Sequence, residues 1–107
     1  MDLGLKGRVA IVTGSSQGIG KSIAYALSVE GTRTVICARD GDRLKKAAQE
    51  IETSSKTTVL PVPTDLRDKE GIKSLVKTTI DKFGRVDILV NNTGGPPSSL
   101  FLARAAT

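Results

Sequence analysis

The 107-residue sequence contains no histidine and no tryptophan, and it has one cysteine, one methionine, one tyrosine and two phenylalanines. Each shortage closes a class of chemistry. Without histidine there is no imidazole for general-base catalysis or metal ligation. Cys37, the single cysteine, cannot form an internal disulfide, and one thiol with no histidine does not make a structural zinc site. So few aromatic side chains leave no stacking platform for single-stranded nucleic acid. No uninterrupted apolar run exceeds five residues, too short for a membrane-spanning helix. The stretch Met1-Asp2-Leu3-Gly4-Leu5-Lys6 lacks the basic segment and apolar core of a signal peptide. Cys37 sits between Ile36 and Ala38, which reads as a buried thiol in a reducing compartment. The expected location is cytoplasmic.

What is present is ordinary for a globular chain. Charged residues make up 25% and apolar residues 38%, with 11 Gly and 4 Pro. The length suits one compact domain. Sixteen Lys and Arg against 11 Asp and Glu give a net charge of +5. That balance could attract nucleic acid, a membrane surface or a phosphorylated ligand, and the plain alternative is a solvated basic surface. No nucleic-acid-binding motif accompanies the charge, so neither nucleic acid nor membrane is expected as a partner.

The apolar pattern alternates between two periods. Arg8-Val9-Ala10-Ile11-Val12-Thr13 is a nearly continuous apolar run ending at Gly14, which predicts a strand buried on both faces. From Gly18 to Glu30 the pattern turns helical, with Ile19, Ile23 and Leu27 four apart and Gly31 as the stop. Thr34-Val35-Ile36-Cys37-Ala38 predicts a second strand. Leu44, Ala47, Ala48 and Ile51 then predict an amphipathic helix of about three turns. Thr57-Thr58-Val59-Leu60-Pro61-Val62 reads as a third strand, and Pro61 assigns it to a sheet edge. Ile72, Leu75, Val76, Thr79, Ile80 and Phe83 mark one face of a third helix, with Lys69, Lys73, Lys77 and Asp81 opposite and Gly84 closing it. Asp87-Ile88-Leu89-Val90 is a fourth strand, broken at Asn91-Asn92.

Strands alternating with helices imply a parallel sheet with helices on both faces. The expected fold is α/β, a Rossmann-like doubly wound sheet represented by a βαβαβαβ portion with strand order 3-2-1-4. The reversal between strands 1 and 4 opens a crevice at their carboxyl ends, where such sheets bind ligands. Residues 1–95 form this nucleotide-binding unit, and 96–107 read as an irregular tail with no evident partner.

The first strand is joined to the first helix by Thr13-Gly14-Ser15-Ser16-Gln17-Gly18-Ile19-Gly20. Gly14 allows a sharp turn off the strand, Gly18 allows close approach of backbone to a pyrophosphate, and Gly20 lets the helix pack on the sheet. Free N–H groups at the helix start attract phosphate oxygens. Gly14 to Ser22 also approaches the phosphate loop G-x-x-x-x-G-K-[ST], but five residues separate the relevant glycines instead of four. The magnesium-holding Asp of that class is also missing after an apolar strand, because Asp87 precedes its strand.

Three signatures together resemble the short-chain dehydrogenase/reductase family. They are the glycine loop, Asp65 within Thr64-Asp65-Leu66, and Asn91-Asn92-Thr93-Gly94 after the fourth strand, where the family usually has N-N-A-G. Their order and spacing match over residues 5 to 95, and the last signature, continued by Gly95-Pro96-Pro97, looks like 3-oxoacyl-[acyl-carrier-protein] reductase-like members. The resemblance implies that Gly14, Ser15, Ser16, Gln17, Gly18 and Gly20 hold a pyrophosphate and that Ile19 lies toward a nicotinamide. It implies that Asp65, with Leu66 beside it, accepts a hydrogen bond from an adenine amino group; a helix cap or turn carboxylate is the alternative for Asp65. It implies that Asn91 stabilises the central strand and that Asn92, Thr93 and Gly94 border the adenosine ribose. Asn91-Asn92-Thr93 also fits a glycosylation sequon, idle in a cytosolic protein.

Arg39 stands where the family's NAD enzymes place an acid, and a guanidinium suits a 2′-phosphate. Arg43, Lys45 and Lys46 add positive charge. The expected cofactor is therefore NADP(H) over NAD(H). Asp40, adjacent and able to bond a ribose, and Gln17, where many NADP-preferring relatives carry Lys or Arg, weigh the other way. A solvated strand-end charge is the plain alternative for Arg39.

The family transfers hydride to or from a small carbonyl or alcohol, using a Ser, a Tyr and a Lys four residues after the Tyr, and its intact members form homo-oligomers. The only tyrosine here, Tyr25, has Val29 four residues on. No catalytic residue can be assigned, and the expectation is a truncated, N-terminal part of such an enzyme, inactive alone. The fourth strand is then expected as an open, aggregation-prone edge.

Overall fold

The computed structural model describes residues 4–14 and 18–91, and the backbone of 101–104. The loop residues Ser15, Ser16 and Gln17, and Asn92, Thr93 and Gly94 of the last signature, lie outside the described residues. The elements run β1 (Val9–Thr13), α1 (Gly18–Val29), β2 (Arg33–Ala38), α2 (Gly41–Ser55), β3 (Val59–Pro63), α3 (Lys69–Phe83), β4 (Ile88–Asn91) and β5 (Phe101–Arg104). The sheet order is β3-β2-β1-β4-β5. The first four strands are parallel, with Ile11 facing Val35 of β2 and Leu89 of β4, and Val35 facing Leu60 of β3. The predicted 3-2-1-4 order is therefore observed, and Pro61 lies on the edge strand where its missing N–H is tolerated.

Two clusters divide the side chains of the strands by parity. Val12, Ile36 and Val90 pack with Ala24 of α1 and with Leu44, Ala47, Ala48 and Ile51 of α2 on one face. Ile11, Val35 and Cys37 pack with Leu75 of α3 on the other. A strand buried on both faces needs apolar residues at every position, which is why β1 reads as a continuous run. Cys37 is fully buried. Burial pushes its thiol pKa up to about 12, so it stays a protonated core side chain.

The helix boundaries follow local chemistry. Asp40 caps α2, its Oδ1 accepting from the N–H of Asp42 at 3.1 Å and of Arg43 at 3.2 Å. Asp68 caps α3, accepting from the Glu70 N–H at 3.0 Å. Gly84 ends α3 in the left-handed region at φ 79°.

Three expectations need correction. The tail is not wholly irregular: Phe101–Arg104 pairs antiparallel with β4, setting Asn91 opposite Phe101. β4 consequently is not an open edge. The apolar face of α3 is also less buried than its periodicity implies. Leu75 and Thr79 are buried, while Ile72, Val76 and Ile80 are 43%, 40% and 47% exposed. Those three line a shallow groove with Lys73, Lys77 and Asp81. The stripe is wider than the strip of sheet beneath one helix.

At the amino ends of β1 and β4, Asp87 is buried against two arginines. It accepts from the Val9 N–H at 2.9 Å, from Arg85 Nη2 at 2.7 Å and from Arg8 Nη1 at 3.4 Å. Burial acts to raise its pKa, but the hydrogen bonds from Arg85, the Val9 N–H and Arg8 outweigh it and hold the carboxyl below the usual range. This cluster clamps the two central strands at the end away from the crevice.

Candidate functional site

At the opposite, carboxyl ends of the strands, a cavity of about 610 Å³ opens between the sheet and α3. Its wall carries Thr13 and Gly14 after β1, Ala38 and Arg39 after β2, Thr64 to Arg67 after β3, and Asn91 at the end of β4. The strand order switches sides between β1 and β4, and the carboxyl ends of these two parallel strands face the crevice.

Gly14 and Gly18 have φ of 59° and 65°, a region closed to most side-chain-bearing residues. A Cβ added at Gly18 would meet nothing within 4 Å. Among the described residues, none crowds the start of α1 at Gly18. Ile19 is 58% exposed at the same helix start, and Gly20 is buried against the sheet. β1 thus ends at the crevice, and α1 begins at Gly18 with the unsatisfied N–H groups that every helix start carries. Thr13 closes the base of the site, its Oγ1 donating to Asn91 Oδ1 at 3.0 Å. That bond ties the end of β1 to the end of β4.

Asp65 is gripped by its neighbour. Its Oδ1 accepts from the Arg67 N–H at 3.0 Å and from Arg67 Nε at 3.1 Å, and its Oδ2 accepts from Arg67 Nη2 at 3.1 Å. It is a turn carboxylate and not the cap of α3, a role that falls to Asp68. The Arg67 side chain, then its N–H, and more weakly the charge of Arg39, bring the Asp65 carboxyl down to about 2. Leu66 is half-buried against the core beneath α3.

Arg39 is exposed and makes no hydrogen bond or ion pair to another described residue. Its neighbour Asp40 is spent on the α2 cap and on Arg43, whose Nε lies 3.6 Å from Asp40 Oδ2. The carboxylate that weighed toward a ribose contact therefore has another occupation. Lys45 and Lys46 are on α2 and do not line the crevice. Tyr25 projects elsewhere, lining a groove between α1 and α2 with Lys21, Ser22, Glu50, Ile51 and Ser54.

Reasoning from the sequence missed Arg67 and Gly71. A Cβ on Gly71 would come within 2.7 Å of the Asp65 carbonyl oxygen, so only glycine lets the first turn of α3 lie this close to the Asp65 turn. The D-x-R spacing of Asp65 and Arg67 was a readable signal for the pair. Gly71 inside a helix was a signal for a close backbone approach.

Comparison with known proteins agrees with this geometry. An uncharacterized oxidoreductase of Staphylococcus saprophyticus is 42% identical over 90 residues, covering 84% of this chain and 38% of that protein. The crystal structure of L-sorbose reductase from Gluconobacter frateurii, complexed with NADPH and L-sorbose, superposes with a TM-score of 0.85 at 43% identity, covering 89% of this chain and 36% of that one. A metagenomic short-chain oxidoreductase in complex with NADP gives a TM-score of 0.78 at 36% identity, covering 88% of this chain and 44% of that one. The chain thus spans less than half the length of these relatives. The family model for short chain dehydrogenase matches residues 8–106, nearly the whole chain. With the glycine turn, the strand order and the crevice all in the same register, the chain belongs to the short chain dehydrogenase family.

Proposed function

We propose that this chain is the dinucleotide-binding part of an NADP(H)-dependent oxidoreductase acting on a carbonyl or alcohol substrate. The single observation that carries the cofactor choice is Arg39, a guanidinium with no other described bond at the end of β2, beside an Asp40 already engaged as a cap. A 2′-phosphate there would receive paired, charge-assisted bonds, whereas a bare 2′-OH brings no negative charge for the guanidinium to meet. The crevice fits the rest of a dinucleotide. The open space at Gly18 and the α1 N-terminus suit a pyrophosphate, held by Gly14, Ser15, Ser16, Gln17, Gly18 and Gly20. Asp65 and Leu66 would border the adenine, Asn92, Thr93 and Gly94 the ribose, and Ile19 the nicotinamide side. When bound, the cofactor supplies or accepts hydride.

The chain's own residues bind and orient without acid–base work. The one hydroxyl that could serve as a phenolic acid, on Tyr25, lies in the groove between α1 and α2 and not in the crevice. Binding without turnover is accordingly the expected behaviour of this chain. Ketones, alcohols and 3-oxoacyl thioesters are the substrate classes to assay on a longer form. A buried Cys37 thiol suits a reducing, cytoplasmic setting.

Fluorescence titration of the purified chain with NADPH and NADH tests the reading. NADPH should bind more tightly, and Arg39→Asp should cut the NADPH/NADH affinity ratio by about tenfold or more, the scale of a lost hydrogen bond to a charged group. An unchanged ratio would sink the cofactor assignment.

A further inference from the structure

The crevice holds two arginines and one carboxylate at its adenosine end, and only one arginine is paired. Asp65 takes the fork of Arg67, Nε on Oδ1 and Nη2 on Oδ2, each at 3.1 Å. Arg39 lines the same cavity and lies near enough to act on Asp65 through charge alone. A carboxylate carries about four lone-pair sites. Oδ1 of Asp65 already receives two bonds from Arg67 and Oδ2 receives one. The remaining acceptor capacity is therefore on Oδ2.

We propose that Arg67 is a specificity-positioning residue for the 2′-phosphate of the cofactor: by occupying Asp65 it keeps that carboxylate from capturing Arg39. Asp65 left alone would do two things against a 2′-phosphate. It would repel the phosphate directly, and it would draw the Arg39 guanidinium into a pair of its own. The Arg67 fork neutralises the first effect and competes out the second. It also fixes the carboxylate plane and leaves acceptor capacity on Oδ2 for an adenine amino group. The turn is braced from the other side by Gly71, whose missing Cβ lets α3 rest on the Asp65 carbonyl. Arg67 thus acts on the phosphate through Asp65 and Arg39, without touching it. The inference rests on the NADP(H) reading above.

The test is a binding cycle on the full 107-residue chain. Dissociation constants for NADPH and NADH are measured for the parent, Arg67→Ala, Asp65→Asn and the double variant. Arg67→Ala should weaken NADPH by about three- to fivefold and NADH by less than about twofold, in keeping with an exposed ion pair. Asp65→Asn, which keeps an acceptor oxygen but no charge, should retain the NADPH preference. The double variant should recover it, to within about twofold of Asp65→Asn. Because the readout is a ratio of two ligands on one protein, a partly unfolded variant lowers both affinities and leaves the ratio alone. A double variant that stays as poor as Arg67→Ala would mean that Arg67 contacts the phosphate itself, and would overturn the proposal. So would an unaltered ratio in Arg67→Ala. A parent that binds both cofactors equally overturns the NADP(H) reading and this inference with it. A parent whose preference is lost on Arg39→Asp keeps that reading even if the Arg67 cycle fails.

Discussion

Asp87 and Asp65 make a pair worth setting side by side, because the same chemistry does different work at the two ends of one sheet. Each is a carboxylate held by arginine, and each has its pKa lowered. Asp87 sits under the amino ends of β1 and β4 with its side chain 5% exposed, and it also accepts from the Val9 N–H. Asp65 sits beyond the carboxyl end of β3 with its side chain 42% exposed, and its partners all belong to Arg67. A buried carboxylate must have its bonds fulfilled within the protein, and its removal strands a backbone donor. An exposed one is solvated either way, and its pairing sets orientation and local charge more than stability. The sheet is thus fastened at one end and left adjustable at the other.

The largest effect should come from breaking the fastened end. Asp87→Ala leaves the Val9 N–H without its side-chain partner and sets Arg8 and Arg85 side by side without a counter-charge. A loss of about 3 kcal/mol is expected, read by urea denaturation. Asp87→Asn keeps an acceptor for Val9 and should cost about half as much. Neither should alter the NADPH/NADH ratio. A change below about 0.5 kcal/mol for Asp87→Ala would show that the clamp is ornamental and dissolve the contrast between the two ends.

Gly71→Ala comes next and tests the adjustable end through its backbone. The added Cβ meets the Asp65 carbonyl oxygen at 2.7 Å, and a backbone atom cannot rotate away. The turn from Thr64 to Asp68 must shift, against a gain in helix propensity of about 1 kcal/mol. A net destabilisation of about 1 kcal/mol is expected, with NADPH binding weakened beyond what the stability loss explains. Unchanged cofactor affinity would detach the Asp65 turn from the site.

Most of the scaffold was legible because the chain writes it in two periods. β1 and β2 read as near-continuous apolar runs since both sheet faces are covered, and Pro61 marked the edge. α3 was legible as a helix but not in its burial. The periodicity of Ile72, Val76 and Ile80 states which residues share a face, and says nothing of how wide a strip the sheet beneath can cover. β5 was invisible for another reason. Phe101–Arg104 is too short to show a period, and its pairing with β4 is a long-range choice that local pattern does not encode. At the crevice, the positions of Gly14 and Arg39 after their strands and of Gly18 at the start of α1 were legible, while their part in holding a cofactor belongs to the proposal above. The Asp65–Arg67 fork is a local pair that the D-x-R spacing only hinted at, and the distance from Gly71 to the Asp65 carbonyl depends on how α3 rests on that turn, which only the packed structure supplies.

The smallest expected effect concerns titration, and it separates the two carboxylates by their response to salt. Both have folded pKa values below the ordinary one, so any stability they contribute is present above the unfolded pKa of about 4 and is lost as pH falls through the folded value. For Asp65 that value is about 2, with the Arg67 side chain as the main cause. At ionic strengths near 1 M the screening length is about 3 Å, and exposed charges are largely hidden from one another. Carboxyl chemical shifts followed by NMR from pH 6 downward should then show Asp65 moving back up toward its ordinary range in high salt, and moving further up in Arg67→Ala. Asp87 should hold more of its depressed value in the same salt, because its side chain is 5% exposed and also accepts from the Val9 N–H. Equal salt sensitivity at both positions would mean that burial does not divide them. The functional contrast drawn between a fixed clamp at one end of the sheet and an adjustable carboxylate at the other would then lose its physical basis.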